Sequence, residues 1–519
     1  MDTFIHKFGS KINGWITGFD RLVFKGMIHP LVFAAGAQTF LRARGILNKN
    51  YKDWMIAQSG ELIQAVDEFA RNICGEKSIY LPSSNDRKDE IAHKRQREVG
   101  ITSGLIGVWS CVEAGTSYRA TFDRVAGFPQ LRVDNTRFKH LYFYYDHPVY
   151  GFMSVRLQTW FPFGIQIAVN GREWLRRSLD ATGCAYLKHD NKFLYLADYT
   201  LAQQLLDKQL DTRWNQMLDA FLPEVFPTMA HTLGEELGYY WTVWQSEWST
   251  DFIFDSPTTV TTLMDKLLRH ALLTGTSERV LRYMAQPVRP DGQPHPLSKP
   301  EVLTRVQTWH DGARIRHWVD RNSVKAYNEQ NTLRIEMTMN RPDRFKVMRH
   351  LEGRQHGPKQ RLPLRKGTAD LPLRALVAND VNRRFAEQLA TLRDDTPVRE
   401  IFAQFGARKH DGRRARALDP LGKDAALLQA IADPALGVSG ITNKALQRAL
   451  RGTPWANAKV DKALSARITR HLRLLRDHGV IRKLPKQNRY QLTDKGRKLT
   501  MLISVLLGAS TEQLLGMAA

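Results

Sequence analysis

Residues 314–340, RIRHWVDRNSVKAYNEQNTLRIEMTMN, decide the fold class. RIRHWVD, SVKAY and TLRIEMTM each alternate with period two, so three short strands follow one another, and NEQN lies where a turn should. A two-residue turn inside NEQN sets Lys325 opposite Arg334 and Ser323 opposite Glu336, with Tyr327 beside the turn on the same face. A phenol, a lysine, an arginine and a carboxylate then share one face of a sheet. Phosphodiester cleavage needs such a set: a nucleophile, cations for the phosphate, and a carboxylate for a metal or a proton. The alternative, a solvated face whose charges pair across strands, stays open at this point.

Outward from this stretch, the chain reads as α+β: a mixed sheet core with surrounding helices, plus a C-terminal winged helix-turn-helix domain. At 519 residues it exceeds one compact core. The expected division is a helical region over 1–103, a mixed α+β core over 104–340, a basic linker and helical bridge over 341–421, and the winged helix over 422–519. Hydrophobic residues make up 43% of the chain, which excludes a disordered protein. Cys74, Cys111 and Cys184 form neither a disulfide framework nor a metal pattern. No long apolar leader opens the chain, and MLISVLLG is too short to cross a bilayer, so a cytoplasmic protein without membrane contact is expected.

The formal charge is +24, and most of it sits in the last third. Residues 341–519 hold 36 Lys and Arg against 16 Asp and Glu, net +20, while residues 1–340 are nearly neutral. A basic third joined to a neutral two-thirds points to a polyanion partner. Charge alone leaves DNA, RNA and an anionic membrane open, and the lack of an amphipathic basic helix with an aromatic anchor puts membrane last.

Three further stretches carry polar residues where strands are expected. GFDRLVFKG, read as strand or loop, offers Asp20, Arg21 and Lys25 either as a nucleic-acid contact or, more commonly for such residues, as a surface ion pair. VRLQTW puts Arg156, Gln158 and Trp160 on one face. In YYWTVWQSEWSTDFIF, an unbroken strand places Glu247 and Asp251 on one face. Buried acids need cations, hydrogen bonds or a metal beside them, and an edge strand with its acids in water is the other reading. QPVRPDGQPHPLSKP (286–300) reads as a connector or active-site loop. No internal sequence repeat is present.

Residues 422–507 read as three helices, a hairpin and a fourth helix. The third helix buries Leu464, Ile468, Leu472 and Leu475 and stops at Gly479. With LRDHGVIRKL…RYQLTDKGR, this segment resembles the winged helix-turn-helix of MarR- and ArsR-type bacterial regulators. The resemblance implies a recognition helix in the major groove and a basic wing on the backbone. Arg467, Arg470 and Arg473 on the helix, with Lys483, Lys486 and Arg489 on the hairpin, are the expected DNA contacts.

Taken with GFDRLVFKG, LQTWFPF and NGREWL, the whole chain resembles a widespread set of bacterial proteins that bring no settled activity with them. Locally, Tyr327 and Asn328 followed by Arg334 and Glu336 resemble the Y-N-K and R-x-E segments of rolling-circle replication initiators of the phage and plasmid Rep type. Glu329 stands where a lysine is commoner, and the family's His-hydrophobe-His motif is missing. The resemblance implies a DNA nickase or strand-transferase of a replicon or mobile element. Tyr327 would attack a phosphate and keep the 5′ end. Lys325, Arg334 and Arg316 would hold the phosphate, and Glu247, Asp251 and Glu336 would ligate Mg²⁺ or Mn²⁺. The alternatives are a non-catalytic DNA-binding protein of the transcriptional-regulator kind, or an RNA-binding protein.

Overall fold

The computed structural model describes residues 2–508 apart from 275–276, 287–301, 310–311, 352–356, 391–397, 411, 434–435, 437–439, 458–460 and 486. Beyond Gln286 the proline-rich segment therefore lies outside the described residues, as does Lys486. The strands that matter here are β1 (Ile12–Met27), β2 (Ile79–Tyr80), β3 (Gly104–Asp123), β4 (Phe128–His147), β5 (Gly151–Gln158), β6 (Ile165–Asn170), β7 (Tyr186–His189), β8 (Lys192–Leu196), β9 (Tyr240–Phe254), β10 (Val302–Trp309), β11 (Gly312–Val319), β12 (Asn322–Glu329) and β13 (Thr332–Met339).

The fold is α+β around an eleven-stranded sheet in the order β10-β11-β12-β13-β9-β1-β6-β5-β4-β3-β2. Every pairing is antiparallel except that of β2 with β3. The order contains a repeated topology that the sequence does not show as a repeat. A strand (β1 or β9) leads through helices into a four-strand meander (β3–β6 or β10–β13) and then into a closing helix. The two halves meet at the β1–β9 pair. Their closing helices differ: Leu371–Ala390 joins the main core, while Gly171–Thr182 crosses the opposite face.

Alternation along each strand separates the two faces. Leu333, Ile335, Met337 and Met339 of β13, with Phe24, Leu141, Phe143, Val155, Ile167 and Trp248, face the main core. The helices Tyr51–Cys74, Pro257–Thr274 and Leu371–Ala390 cover them. Burial at ~25 cal/mol per Å² of apolar surface makes this face the dominant source of stability. The other face carries Arg334, Glu336 and their neighbours. It is covered only in patches: by Gly171–Thr182 and Tyr199–Lys208 over Ile16, and by Lys88–Val99 over Trp109 and Tyr144.

Three expectations change. The segment 1–103 supplies the sheet's central strand, β1, because GWITGFDRLVF buries residues on both faces. The β12–β13 hairpin turns at Gln330–Asn331, so Lys325 pairs with Glu336, Tyr327 with Arg334, and Ser323 with Thr338. Asn328 is held in the strand by accepting from Ala313 N, and Asn331 Nδ2 donates to Leu194 O and Phe254 O, which fixes the turn one residue later and moves each cross-strand partner by two. Strand β9 carries a bulge at Trp244 that turns Val243 into the main core, while Glu247 and Asp251 share one face as expected. The helix Leu371–Ala390, expected as a bridge, packs into the main core, and Asn382 Nδ2 donates to Trp248 O and Ile335 O.

A second, separate core gathers Ile401, Phe405 and Leu418 with residues 427–503, so this packing unit starts before residue 422. It contains the helices Ala425–Ile431, Asn443–Leu450 and Asp461–Asp477, the hairpin Ile481–Lys483/Tyr490–Leu492 and the helix Asp494–Gly508. Leu464, Ile468, Leu472 and Leu475 are all buried. No helix among the described residues is long and apolar enough to cross a membrane.

A candidate metal centre beside a buried tyrosine

The polar face of the sheet is richest where β12, β13, β9 and β1 lie side by side. Cross-strand pairing lines up Tyr327, Arg334 and Asp251 in one row and Lys325, Glu336 and Ser249 in the next. Asp20 joins them through a β-bulge. Phe19 pairs with Trp248 and Arg21 with Glu247, so Asp20 is the extra residue, opposed by nothing of its own. Bulges re-aim a side chain out of the strict alternation. Here the bulge turns Asp20 toward Glu247 and Glu336.

The carboxylates of Asp20, Glu247 and Glu336 offer oxygens all within 4.8 Å of one another. Asp20 and Glu336 are buried, and Glu247 is half-buried. Burial, then the Glu336 charge, pushes Glu247 up to about 7. Asp20 is also raised, chiefly by burial, although Arg334 opposes the shift. Three hard oxygen donors at this spacing, two of them holding protons more tightly than usual, suit a divalent cation of the Mg²⁺ or Mn²⁺ kind. The donor set fits such an ion.

A second layer fixes the acids. Arg334 grips Asp251 with Nε and Nη2 at 2.5 and 2.8 Å, reaches Asp20 Oδ1 with Nη1 at 2.8 Å, and donates to Asn191 O. Arg172 Nη2 donates to Ser249 Oγ at 2.6 Å and lies 3.1 Å from Asp251. Arg172 reaches the sheet because its helix starts directly over β1. Asn170 caps that start by accepting from Arg172 N and Glu173 N. Gly171 follows where a Cβ would sit 2.0 Å from Phe19 O. Burial works against ionised Asp251, but Arg334 and Arg172 outweigh it, and its carboxyl lies below the ordinary range.

Tyr327 is 8% exposed and donates its hydroxyl proton to Glu336 Oε2 at 3.1 Å. Lys325 Nζ is 2.7 Å from the other Glu336 oxygen. Lys192 and Lys325 each lie 5.2 Å from the centre of the Tyr327 ring. Burial and then Glu336 raise its phenol well above the usual value, so the free protein holds it protonated. The β7–β8 hairpin roofs this corner: Asn191 Nδ2 donates to Asp20 Oδ1, and Lys192 pairs with Glu329.

Of the residues expected from sequence, Tyr327, Lys325, Arg334, Glu247, Asp251 and Glu336 therefore occupy one neighbourhood. Their roles within it divide differently. Asp251 is spoken for by two arginines, and Asp20 takes its place among the three clustered acids. Arg334 is 1% exposed and engaged with carboxylates on two strands. Arg316 lies two strands out from Glu336, with Nε donating to Ser323 Oγ. Arg172 and Asn191 were missed. Arg156 and Gln158 do face the polar side, Arg156 in a pair with Glu113, while Trp160 stacks on Phe138 beyond the strand.

In the C-terminal unit, Arg470, Arg473, Lys483 and Arg489 are exposed. Arg467 is half-buried, its guanidinium 4.3 Å from the centre of the Trp455 ring. The chain matches no family model, no curated protein and no solved structure.

Proposed function

We propose that this chain is a DNA-processing protein that breaks and transfers a phosphodiester on the polar face of its sheet. One observation carries the reading: Asp20, Glu247 and Glu336 lie within metal-site spacing, and the Tyr327 hydroxyl already donates to one of them. Asp20, Glu247 and Glu336 would hold a divalent cation. When bound, it would stabilise charge on the phosphate as a Lewis acid.

The chain's own residues do the rest. Tyr327 Oη attacks phosphorus as its proton passes to Glu336, the acceptor it already faces. The new Oη–P bond replaces the bond from phosphorus to the departing sugar oxygen, which takes a proton from solvent. One ester replaces another, so no oxidant or energy source is needed. Lys325, 2.7 Å from the Glu336 carboxylate, stabilises the charge that builds on the phosphoryl oxygens. The β7–β8 hairpin must lift from Tyr327 to admit the phosphate. Arg334, Arg172 and Asp251 act as positioning residues that hold β13, β9 and the bulge of β1 in register.

The C-terminal unit complements this centre as a winged helix-turn-helix, with Arg467, Arg470 and Arg473 reading the groove and Lys483, Lys486 and Arg489 on the backbone. The test is cleavage of supercoiled and single-stranded DNA with Mg²⁺ or Mn²⁺. Wild type is expected to nick; Asp20→Asn and Tyr327→Phe are expected to bind DNA and leave it intact. Nicking by Tyr327→Phe at the wild-type rate would overturn the tyrosine's role. A wild type that leaves both DNA forms intact with either metal would overturn the enzyme.

A further inference from the structure

Two tryptophans stand near the acidic cluster on the same face of the sheet, and each stands among cations. Trp318 of β11 lies in register with Ser323, Thr338 and Glu247 across four strands, so it shares the face of the acids. Arg316 lies 4.6 Å and Arg305 5.9 Å from its ring centre. Trp244 sits at the bulge of β9, three residues from Glu247, and is 43% exposed. Lys25 lies 3.5 Å and Lys366 5.4 Å from its ring centre. None of these four cations pairs with a carboxylate among the described residues. Strands in a sheet are ~4.8 Å apart, so about 14 Å separates the two tryptophans across the strands; Glu336 lies on β13 between them, Glu247 on β9 beside Trp244, and Asp20 one strand further on β1.

Cations over part-exposed indoles are worth only ~0.5–1 kcal/mol each, too little to explain two such groups beside one acidic cluster. Crowding also works against Lys25, whose amine is pushed down by burial and then by Arg156 and Lys366. An anion at this spot would relieve it. Ligands that present flat rings and regularly spaced negative charge together are unpaired nucleic-acid strands. A duplex hides its base faces and offers only its backbone to a flat sheet.

We infer that an unpaired nucleic-acid strand crosses the polar face, with one base stacked at Trp318, another at Trp244, and the phosphate between them delivered to the acids. Lys25, Lys366, Arg305 and Arg316 leave the indole faces for the flanking phosphates as the bases arrive. The inference rests on the functional reading above for what happens at the acids, but not for the binding itself. Arg21, exposed and paired in register with Glu247, lies along the same path.

The experiment uses the full chain with EDTA, so that binding is read without cleavage. Oligonucleotides carrying 5-bromouracil, as DNA and as RNA, are photo-crosslinked and the adducts mapped by mass spectrometry. Adducts at Trp244 and Trp318 are expected, with the two arms reporting which sugar is preferred. Trp244→Ala and Trp318→Ala should each weaken binding of unpaired strand ~10-fold, and Phe at either position should restore most of the loss. Adducts confined to the C-terminal unit, or a double Ala variant that binds like wild type, would overturn the inference. Adducts at both tryptophans with no cleavage by wild type would retire the enzyme and keep the track; cleavage without them would do the reverse.

Discussion

Glu247 should make metal binding steeply dependent on pH. Its carboxyl is pushed up to about 7 by burial, then by Glu336 and Asp20, with Lys325 and Arg21 opposing. A cation that uses Glu247 must displace its proton whenever the pH lies below that value. Apparent Mn²⁺ affinity should therefore rise about tenfold per unit up to pH ~7 and then level off, a gain of ~30-fold between pH 5.5 and 8. The stability of the metal-free protein runs the other way. A carboxyl raised in the folded state contributes stability fully below its unfolded value, near 4.5, and loses it as pH rises through about 7. The apo protein should thus lose stability on the order of 2–3 kcal/mol from this group between pH 4.5 and 8, and Mn²⁺ should restore it. Glu247→Gln should flatten both profiles while lowering Mn²⁺ affinity at pH 8. Free Mn²⁺, followed by electron paramagnetic resonance at a series of pH values, reads the first; thermal melting with and without metal reads the second. A flat wild-type affinity profile, or an equal slope in Glu247→Gln, would refute the reasoning.

Other consequences follow from the same contacts. Arg334→Leu leaves Asp251 and Asp20 buried without their main partner and should destabilise the chain by ~3–5 kcal/mol, seen as a lowered unfolding midpoint in urea. Glu329→Gln breaks the pair with Lys192 that helps hold the β7–β8 hairpin down. It should speed cleavage several-fold without changing metal affinity, and an unchanged rate would mean that the hairpin does not gate the site. Arg470→Ala with Arg473→Ala should weaken duplex binding and reduce the slope of log affinity against log salt by about 2, measured by anisotropy. An unchanged slope would remove the Asp461–Asp477 helix from the interface.

The alternation of TLRIEMTM and SVKAY is enough to place Tyr327, Lys325, Arg334 and Glu336 on one polar face, because a strand's period of two leaves no other arrangement. The register within that face was less legible. NEQN permits a turn at either of two places, and the choice falls to Asn328 and Asn331, whose partners lie on other strands and are remote in sequence. Asp20 was missed as a ligand for a related reason. In an ideal strand it would alternate away from Glu247, and only the bulge brings it round. A signal was present in Gly14 and Gly18, glycines inside a strand, which often mark close approach or irregularity. At both positions a Cβ would collide with the Tyr199–Lys208 helix, at Tyr199 and Leu206. Arg172 was invisible because NGREWL reads only as a helix start, and nothing local says that the helix begins over β1.

The most direct measurement is mass spectrometry of the protein after reaction with a DNA strand of its own locus in Mg²⁺ or Mn²⁺. The account predicts a nucleotide adduct on the Tyr327-containing peptide, placed on the tyrosine by fragmentation and absent from Tyr327→Phe. A cleaved strand with no protein adduct, or an adduct on another residue, would contradict it.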